Sequence, residues 1–251
     1  MKKFFLSIYS GYIRFFCFPA ASYVIRRRAR KIADSFSGRV VDIGAGEQPY
    51  RNEFRNVNPY LVHNSPSYYL TYYSSLPDNR TDYWADRFED VNIPDQSLDG
   101  ALCFQVLNVV EDPAAFFVHV FRKLKPGGKL LLSTDTSYPK WHVSDYFRFT
   151  DAGIRMLAEK AGFRVVSVES NGGYALTEYL FFTRFMKDYP KLLFSSFRLL
   201  SIVGLLCMIP VIMAFPLTWL AGAVSSVLAV SERKSFSDSS GVTLMAEKPV
   251  L

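Results

Sequence analysis

A sheet of mainly parallel strands covered by helices on both faces, an α/β fold, is what the sequence predicts for residues 39–170. Short apolar segments typical of buried strands alternate there with segments whose apolar residues recur with helical spacing. A last apolar segment, residues 241–248, indicates one more strand after a long uncharged interruption. A chain of 251 residues can bury one sizeable core, so we expect one domain with attachments.

Strands are predicted where short apolar segments are bounded by turn residues: residues 40–43, 98–104, 130–133, 163–168 and 241–248. A helix is indicated by apolar residues at i, i+3, i+4 and i+7, namely Phe117, Val120, Phe121 and Leu124. Another helix follows Thr150, a suitable N-cap, and Gly162 is placed to end it.

The N-terminal segment is strongly basic. Residues 1–39 contain nine Lys and Arg against one acid, a net charge of +8, whereas the whole chain carries +6. Bases interleaved with aromatic residues favour an anionic membrane surface over a nucleic acid as partner. We therefore predict that residues 1–37 form a basic amphipathic helical segment. A cleaved signal peptide is disfavoured because Arg14 interrupts the apolar stretch.

One stripe of this segment is apolar, formed by Ile25, Ala29, Ile32, Ala33 and Phe36. Two interpretations remain open and do not exclude each other: the helix packs on the core with its bases in solvent, and it lies at lipid headgroups. The three cysteines and three histidines show no ligand spacing, so we expect buried thiols, a reducing compartment and no structural metal.

Residues 174–240 are predicted to be a hydrophobic, membrane-associated helical insertion before the last strand. Residues 199–230 contain no charged side chain. The length of this stretch exceeds the roughly 20 apolar residues of a spanning helix but falls short of the roughly 40 that two crossings need. Basic residues flank both ends, as expected for two cytoplasmic ends. We expect a re-entrant or shallow hairpin bent near Pro210 and Pro216, with a buried helical pair in a dimer interface as the alternative.

The strongest local motif is VVDIGAGEQPY, residues 40–50. A buried strand ends there in an acid, and two glycines then let the backbone turn sharply and leave room for a ligand. A glycine pair after a strand is not specific, because dinucleotide-binding domains share it. The third glycine of that fingerprint is absent here, which disfavours an NAD-linked oxidoreductase.

Further motifs follow in order: IPDQSLDGALCFQVLNVVEDP at 93–113, LKPGGKLLLS at 124–133 and HVSDYFRFTDAGIRMLAEKAGF at 142–163. Together with the glycine motif they resemble the type 11 family of class I S-adenosylmethionine-dependent methyltransferases over most of residues 38–170. The resemblance implies a Rossmann-like, seven-stranded α/β methyltransferase sheet with helices on both faces, built from residues 38–173 and 241–251. It also implies S-adenosyl-L-methionine as the cofactor.

The resemblance assigns the cofactor site to nine residues. Asp42 and the turn after it would surround the methionine end of the cofactor, Asn64 the ribose and Asp86 the adenine amino group. Gln105 would close the methionine side. The full set is Asp42, Gly44, Ala45, Gly46, Asn64, Asp86, Arg87, Phe88 and Gln105.

Three positions depart from the family's pattern. Asn64 stands where an acid is usual, so it can bond the ribose hydroxyls without the charge that roughly doubles such a bond. Asn108 and Val109 stand where Glu and His are common. A membrane-associated scaffold that binds the cofactor without turnover is therefore the alternative function.

The loop at 135–149 is expected on the substrate side of the sheet. His142 or Asp145 would act as the general base if the acceptor loses a proton. Tyr138, Trp141, Tyr146 and Arg148 are the predicted substrate-binding residues. In the structural alternative, Arg148 simply pairs with Asp145. We expect a small or lipid-linked acceptor and action at the cytoplasmic face of a membrane, whereas the oligomeric state is not determined by sequence.

Overall fold

The computed structural model describes residues 20–73, 81–138, 140, 143–174, 176–185, 217, 220, 224 and 239–250. The described chain divides into two compact units. Residues 25–171 and 241–250 belong to the first, which we call the sheet unit. The other described residues, 20–24, 172–174, 176–185, 217, 220, 224, 239 and 240, belong to the second.

Seven strands form one sheet in the sheet unit: β1 Gly38–Ile43, β2 Val57–Asn64, β3 Tyr83–Trp84, β4 Leu98–Phe104, β5 Leu124–Asp135, β6 Arg164–Ser170 and β7 Gly241–Glu247. Their order is β3-β2-β1-β4-β5-β7-β6. The first five strands pair in parallel, and β7 is antiparallel to both β5 and β6. The predicted seven-stranded α/β sheet is confirmed.

Four helices accompany these strands among the described residues: α1 Ala20–Ile32, α2 Pro66–Tyr73, α3 Pro113–Lys123 and α4 Asp151–Lys160. Residues 176–185 of the second unit are also helical. The Asp112 carboxylate caps α3 by accepting from the Ala115 N–H at 2.9 Å. Thr150 caps α4 as predicted, and Gly162 follows its end with a φ of 100°.

Side chains of the central strands point alternately to two cores, as the pleat of a strand requires. Val41 of β1 packs on one face with α3 and α4, whereas Val40 packs on the other face with α1. Both residues are fully buried. Helices therefore cover both faces, which leaves the carboxyl ends of the parallel strands for a ligand.

Helix α1 packs its apolar stripe on the sheet. Ile25, Ala29, Ala33 and Phe36 are buried in one cluster with β1, β4 and β5. Of the two interpretations of this helix, the structure has the one in which it covers the core. The stripe is consequently not free to enter a lipid surface. Residues 25–37 thus belong to the sheet unit, which begins earlier than the predicted boundary at residue 38.

The bases of α1 are held by acids of the sheet unit. Arg30 donates to the Glu53 carboxylate at 2.8 Å, and Arg28 pairs with Glu169. Lys31 Nζ lies 3.7 Å from the Glu169 carboxylate. Much of the basic charge of residues 25–37 therefore has a partner within the protein, so it is less available to an anionic surface.

The last strand returns to the sheet, as the sequence predicted. Ser170 of β6 pairs with Val242 of β7, and the Asn171 N–H donates to the Gly241 carbonyl at 2.7 Å. The chain thus leaves the sheet at residue 171 and rejoins it beside the same point at residue 241. No described helix is both long and apolar enough to cross a membrane. The predicted hairpin of 199–230 lies almost wholly outside the described residues.

Candidate active site

A cavity of about 930 Å³ lies where β1, β2 and β4 end. In this strand order, β1 lies between β2 and β4: the chain runs from β1 to β2 and β3 on one side and then crosses to β4 on the other. Such a switch point leaves a crevice at the carboxyl ends of the strands. The volume is at the upper end of the roughly 300–1,000 Å³ typical of small-molecule sites.

The turn after β1 forms one wall of this cavity. Gly44 and Gly46 both line it and have positive φ values of 65° and 55°. A Cβ on Gly44 would lie 2.5 Å from a methyl of Val106, whereas a Cβ on Gly46 would meet nothing within 4 Å. Gly46 therefore presents bare backbone to open space, which suits the close approach of a ligand.

Asn64 braces this turn from the end of β2. Its Oδ1 accepts from the Gly46 N–H at 2.8 Å, and its Nδ2 donates to the Thr81 hydroxyl at 3.0 Å. The side chain is buried but still lines the cavity. An amide here does what a carboxylate alone cannot, because it accepts on one side and donates on the other. The departure at Asn64 thus has a structural role in holding the turn.

Asp86 lies on the cavity wall and has a fixed orientation. Its carboxylate accepts from the hydroxyls of Ser65 and Ser67, each at 2.7 Å, and from the Ser67 N–H at 3.1 Å. The bonds from Ser65 and Ser67 lower the pKa of Asp86 below its ordinary value. An ionised, oriented acceptor fits the predicted contact with an adenine amino group.

Gln105 follows β4 and lines the cavity with a strained backbone, since its φ is 59°. Its N–H donates to the Ser133 carbonyl at 2.8 Å, and its side-chain amide donates to the Ser133 hydroxyl at 3.2 Å. Residues other than glycine with positive φ are often found at ligand sites, where contacts with the surrounding structure offset the energy of the strained backbone. Arg87 and Phe88 complete the predicted residues on the cofactor side of the cavity.

Asp42 and Ala45 are not part of the cavity lining. Asp42 is buried in β1, where its Oδ2 accepts from the Tyr60 hydroxyl at 2.6 Å. Its Oδ1 has no partner among the described residues. Burial raises the pKa of Asp42 from 3.8 to about 7, against the lowering effect of the Tyr60 bond. The carboxyl therefore lies beneath the glycine turn rather than in the cavity.

The loop after β5 contributes Tyr146 to the lining, and the Tyr146 hydroxyl donates to the Glu111 carboxylate at 3.2 Å. Arg148 does not line the cavity. It forms an ion pair with Asp145, whose side chain is fully inaccessible, and its Nε donates to the Tyr138 carbonyl at 2.9 Å. The pairing is the structural alternative stated above. The ion pair raises the pKa of Arg148. Because the guanidinium is already bound to Asp145, it is not available to bind an anionic group of a substrate.

Two further predicted residues, Trp141 and His142, lie outside the described residues. The assignment of His142 or Asp145 as general base stays a prediction, although the ion pair disfavours Asp145. Half-buried Asp135 lies near Arg148 and Asp145, and its pKa is raised to about 6, chiefly by partial burial. The described residues include no group of His, Cys, Asp and Glu suited to a metal ion.

Sequence reasoning missed much of the wall. The additional lining residues are Ile43, His63, Ser65, Ser67, Tyr68, Thr71, Glu89, Phe104, Val106, Val109, Val110, Glu111, Asp112, Phe116, Val143 and Ser144. His63 is buried, and its ring Nε2–H donates to the Ala85 carbonyl at 3.0 Å. Burial lowers its pKa to about 4, so the ring is neutral near pH 7 and adds no positive charge to the site. The Ser-x-Ser pair directly after β2 is a signal that could have pointed to Ser65 and Ser67.

The fold and the site together define a nucleoside-cofactor enzyme of the Rossmann-like class. A family model described as a methyltransferase domain matches residues 20–168, more than half of the chain. The protein therefore belongs to this methyltransferase family, and the predicted class I S-adenosylmethionine-dependent methyltransferase is confirmed. Its cofactor is S-adenosylmethionine. No curated protein matches the chain.

Solved structures share the fold at low identity. A protein from Bacillus halodurans C-125 assigned as a methyltransferase is 14% identical, with 90% of this chain and 99% of that chain covered at a TM-score of 0.52. The cyclase SpnF is 16% identical, with 90% and 82% covered at 0.51. A chain of the Haloferax volcanii complex between the Trm112 methyltransferase activator and a protein assigned as a methyltransferase is 14% identical, with 92% and 98% covered at 0.52.

Proposed function

We propose that this methyltransferase acts on a small or lipid-linked acceptor at the cytoplasmic face of a membrane. The observation that carries the proposal is the exposed apolar surface of the second unit. Large apolar side chains there are 40–69% exposed: Tyr174, Phe181, Phe182, Phe185, Leu217, Leu220 and Val224. They lie among only 23 described residues of this unit, and exposed apolar residues concentrated in this way favour a membrane or partner surface.

The topology of the chain supports a hairpin rather than a single crossing. Residues 171 and 241 lie side by side in the sheet unit, so the ends of the segment between them belong to one compartment. A segment that crossed the bilayer once would separate these ends. The uncharged residues 199–230, with bases on both sides, are therefore proposed to enter and leave from the cytoplasmic face.

The charge of the cavity favours a neutral or cationic acceptor group over an anionic one. Glu89, Glu111 and Asp112 line it beside Asp86, and the described lining contains one permanently charged base, Arg87. Arg87 itself lies 3.8 Å from Glu89. Methyl transfer from a sulfonium requires an aligned acceptor and exclusion of water, so this chain's contribution is chiefly a shaped and charged cavity.

Methyl transfer from tritium-labelled S-adenosylmethionine into a membrane extract tests the reaction. We expect label in the lipid-soluble fraction, and within it in the neutral and cationic components that an anion exchanger does not retain. Calorimetric titration with S-adenosylhomocysteine checks cofactor binding in the same preparation. Binding without any transfer would remove the proposed acceptor class, and label confined to retained anionic components would contradict the charge argument.

Membrane attachment is tested by replacing exposed aromatic residues. The triple variant Phe181→Ser, Phe182→Ser and Phe185→Ser is expected to float with vesicles of phosphatidylethanolamine and phosphatidylglycerol at least about tenfold less, since each buried aromatic side chain contributes roughly 2 kcal/mol. Deletion of residues 192–232 is expected to release the protein altogether.

The matched control replaces Val118, Met156 and Val166 with serine, because these sheet-unit side chains are also about half exposed. Their loss should leave flotation unchanged. Equal loss in both triple variants, or full flotation of the deletion variant, would argue that the second unit is not the attachment surface.

A further inference from the structure

Asn108 connects the turn after β4 to the loop after β5. It is fully buried in the short 3₁₀ turn Leu107–Val109. Its backbone carbonyl accepts from the N–H groups of Tyr146 and Phe147, at 2.9 and 3.2 Å. Its side-chain Nδ2 donates to the Asp145 Oδ1 at 3.1 Å. One residue therefore forms three bonds to three consecutive positions of a loop 37 residues further along the chain.

Asp145 continues this connection into the rest of its loop. Arg148 Nη2 donates to Asp145 Oδ2 at 2.7 Å, and Arg148 Nη1 donates to the Phe147 carbonyl at the same distance. Arg148 Nε donates to the Tyr138 carbonyl. The Asp145 carboxylate is thus shared between an amide and a guanidinium, and Arg148 links Asp145 to Tyr138. We call Asn108, Asp145 and Arg148 the loop clamp.

The residues that the clamp holds line the cavity. Ser144 and Tyr146 flank Asp145 in sequence, and both belong to the wall, whereas Asp145 and Arg148 do not. Tyr146 extends to Glu111, which lies on the segment that also carries Asn108. The cofactor-side residues follow β1, β2 and β3, with Gln105 after β4, so the wall formed by the loop after β5 is the part of the cavity left for the acceptor.

We propose that Asn108 is a positioning residue for the acceptor, acting through Asp145 to hold Ser144 and Tyr146 against the cavity. The inference rests on the proposed methyl transfer. Asn108 departs from the family's pattern, which suggested a loss of activity, whereas the inference gives this residue a role in activity. Asp145 acts in the clamp as a buried anion, which leaves His142 as the predicted base for a proton that the acceptor loses.

The chemistry of the clamp requires an amide at position 108. A carboxylate accepts hydrogen bonds only, so it needs a donor at this buried contact. A carboxylate at 108 would instead place two like charges about 3 Å apart in an inaccessible site, which strongly disfavours the arrangement. Alanine would remove the amide donor to Asp145 Oδ1, which would keep its bond from Arg148 Nη1. Only the side chain changes in these variants, so the two backbone bonds from Tyr146 and Phe147 remain available.

The test compares Asn108→Asp with the exchanged pair Asn108→Asp and Asp145→Asn. The single variant is expected to raise the apparent KM for the membrane extract about tenfold, because it removes one buried charge-assisted bond, with kcat and the Kd for S-adenosylhomocysteine changed less than about twofold. The exchanged pair restores one amide facing one carboxylate, so it should recover at least half of the loss on a logarithmic scale.

Hydrogen exchange supplies a readout that does not depend on turnover. Peptides covering residues 143–150 are expected to exchange faster in Asn108→Asp and to regain protection in the exchanged pair. Asp95→Asn, which removes an exposed partner of Arg122 and Lys123, is the control and should change neither exchange nor KM.

The outcomes separate this inference from the function on which it rests. A wild type that transfers no label removes the proposed function, and the exchange measurement still decides the clamp. Unchanged exchange and KM in Asn108→Asp would overturn the clamp. A collapse of kcat in the exchanged pair, together with unchanged KM, would mean that Asp145 is the general base and not a structural anion.

Discussion

Replacing Gly46 with valine is expected to eliminate S-adenosylmethionine binding while the protein still folds. The new side chain would project into the open space beside Gly46, where no atom lies within 4 Å of a Cβ. That space is part of the cavity wall, so the valine would occupy volume that the cofactor needs. We expect affinity at least about 100-fold weaker, equivalent to roughly 3 kcal/mol, in a calorimetric titration.

Gly127→Val is the matched control, because Gly127 also has a positive φ, 77°, and a Cβ there would touch only Val250 at 3.5 Å. Both variants should lose a similar free energy of unfolding, about 1–2 kcal/mol, from the left-handed backbone alone. Only the Gly46 variant should lose cofactor. Equal affinities in the two variants would show that the turn at 44–46 is not the contact surface.

The Asp42→Asn variant is expected to be more stable than the wild type above neutral pH. Burial raises the pKa of this carboxyl from 3.8 to about 7, so between those values the folded protein keeps a proton that the unfolded chain releases. Folding stability therefore falls as pH rises through that range, and the cost is complete above pH 7. The amide removes this cost, for a gain at pH 8 on the order of 2–4 kcal/mol.

Urea unfolding at pH 4, 6 and 8 measures this difference. The gain should be near zero at pH 4, appear by pH 6 and be largest at pH 8. Tyr60→Phe is the companion variant. It removes the hydroxyl that donates to Asp42 and should lower stability at pH 8. A difference between Asp42→Asn and wild type that does not depend on pH would refute the assignment of this carboxyl as a buried, destabilising group.

The sequence predicted the parts of the fold that local pattern determines. The strand at 40–43, the glycine turn after it and the helix between Thr150 and Gly162 each have a signature within a few residues. The return of residues 241–248 to the sheet was predicted from its strand pattern and is confirmed. Site residues in strong motifs, such as Gly46, lie on the cavity wall for the same reason.

Contacts between residues far apart in the sequence could not be predicted from local patterns. The bond from Asn108 to Asp145 joins positions 37 residues apart, and no periodicity encodes it. The apolar stripe of α1 is equally suited to a lipid surface and to a sheet, since both accept an apolar helix face. Folding brings Glu53 and Glu169 to this helix, and these acids hold its bases against the sheet unit.

Residues 171 and 241 lie side by side in the sheet unit, so the chain between them is an insertion between the neighbouring strands β6 and β7. Since β6 and β7 are antiparallel neighbours, a short turn would join them as an ordinary β-hairpin. The entropy of closing a loop grows only slowly with its length, by about 0.6 kcal/mol per doubling. A change in the length of this segment would therefore cost the catalytic sheet little stability, so the segment and the sheet can vary independently.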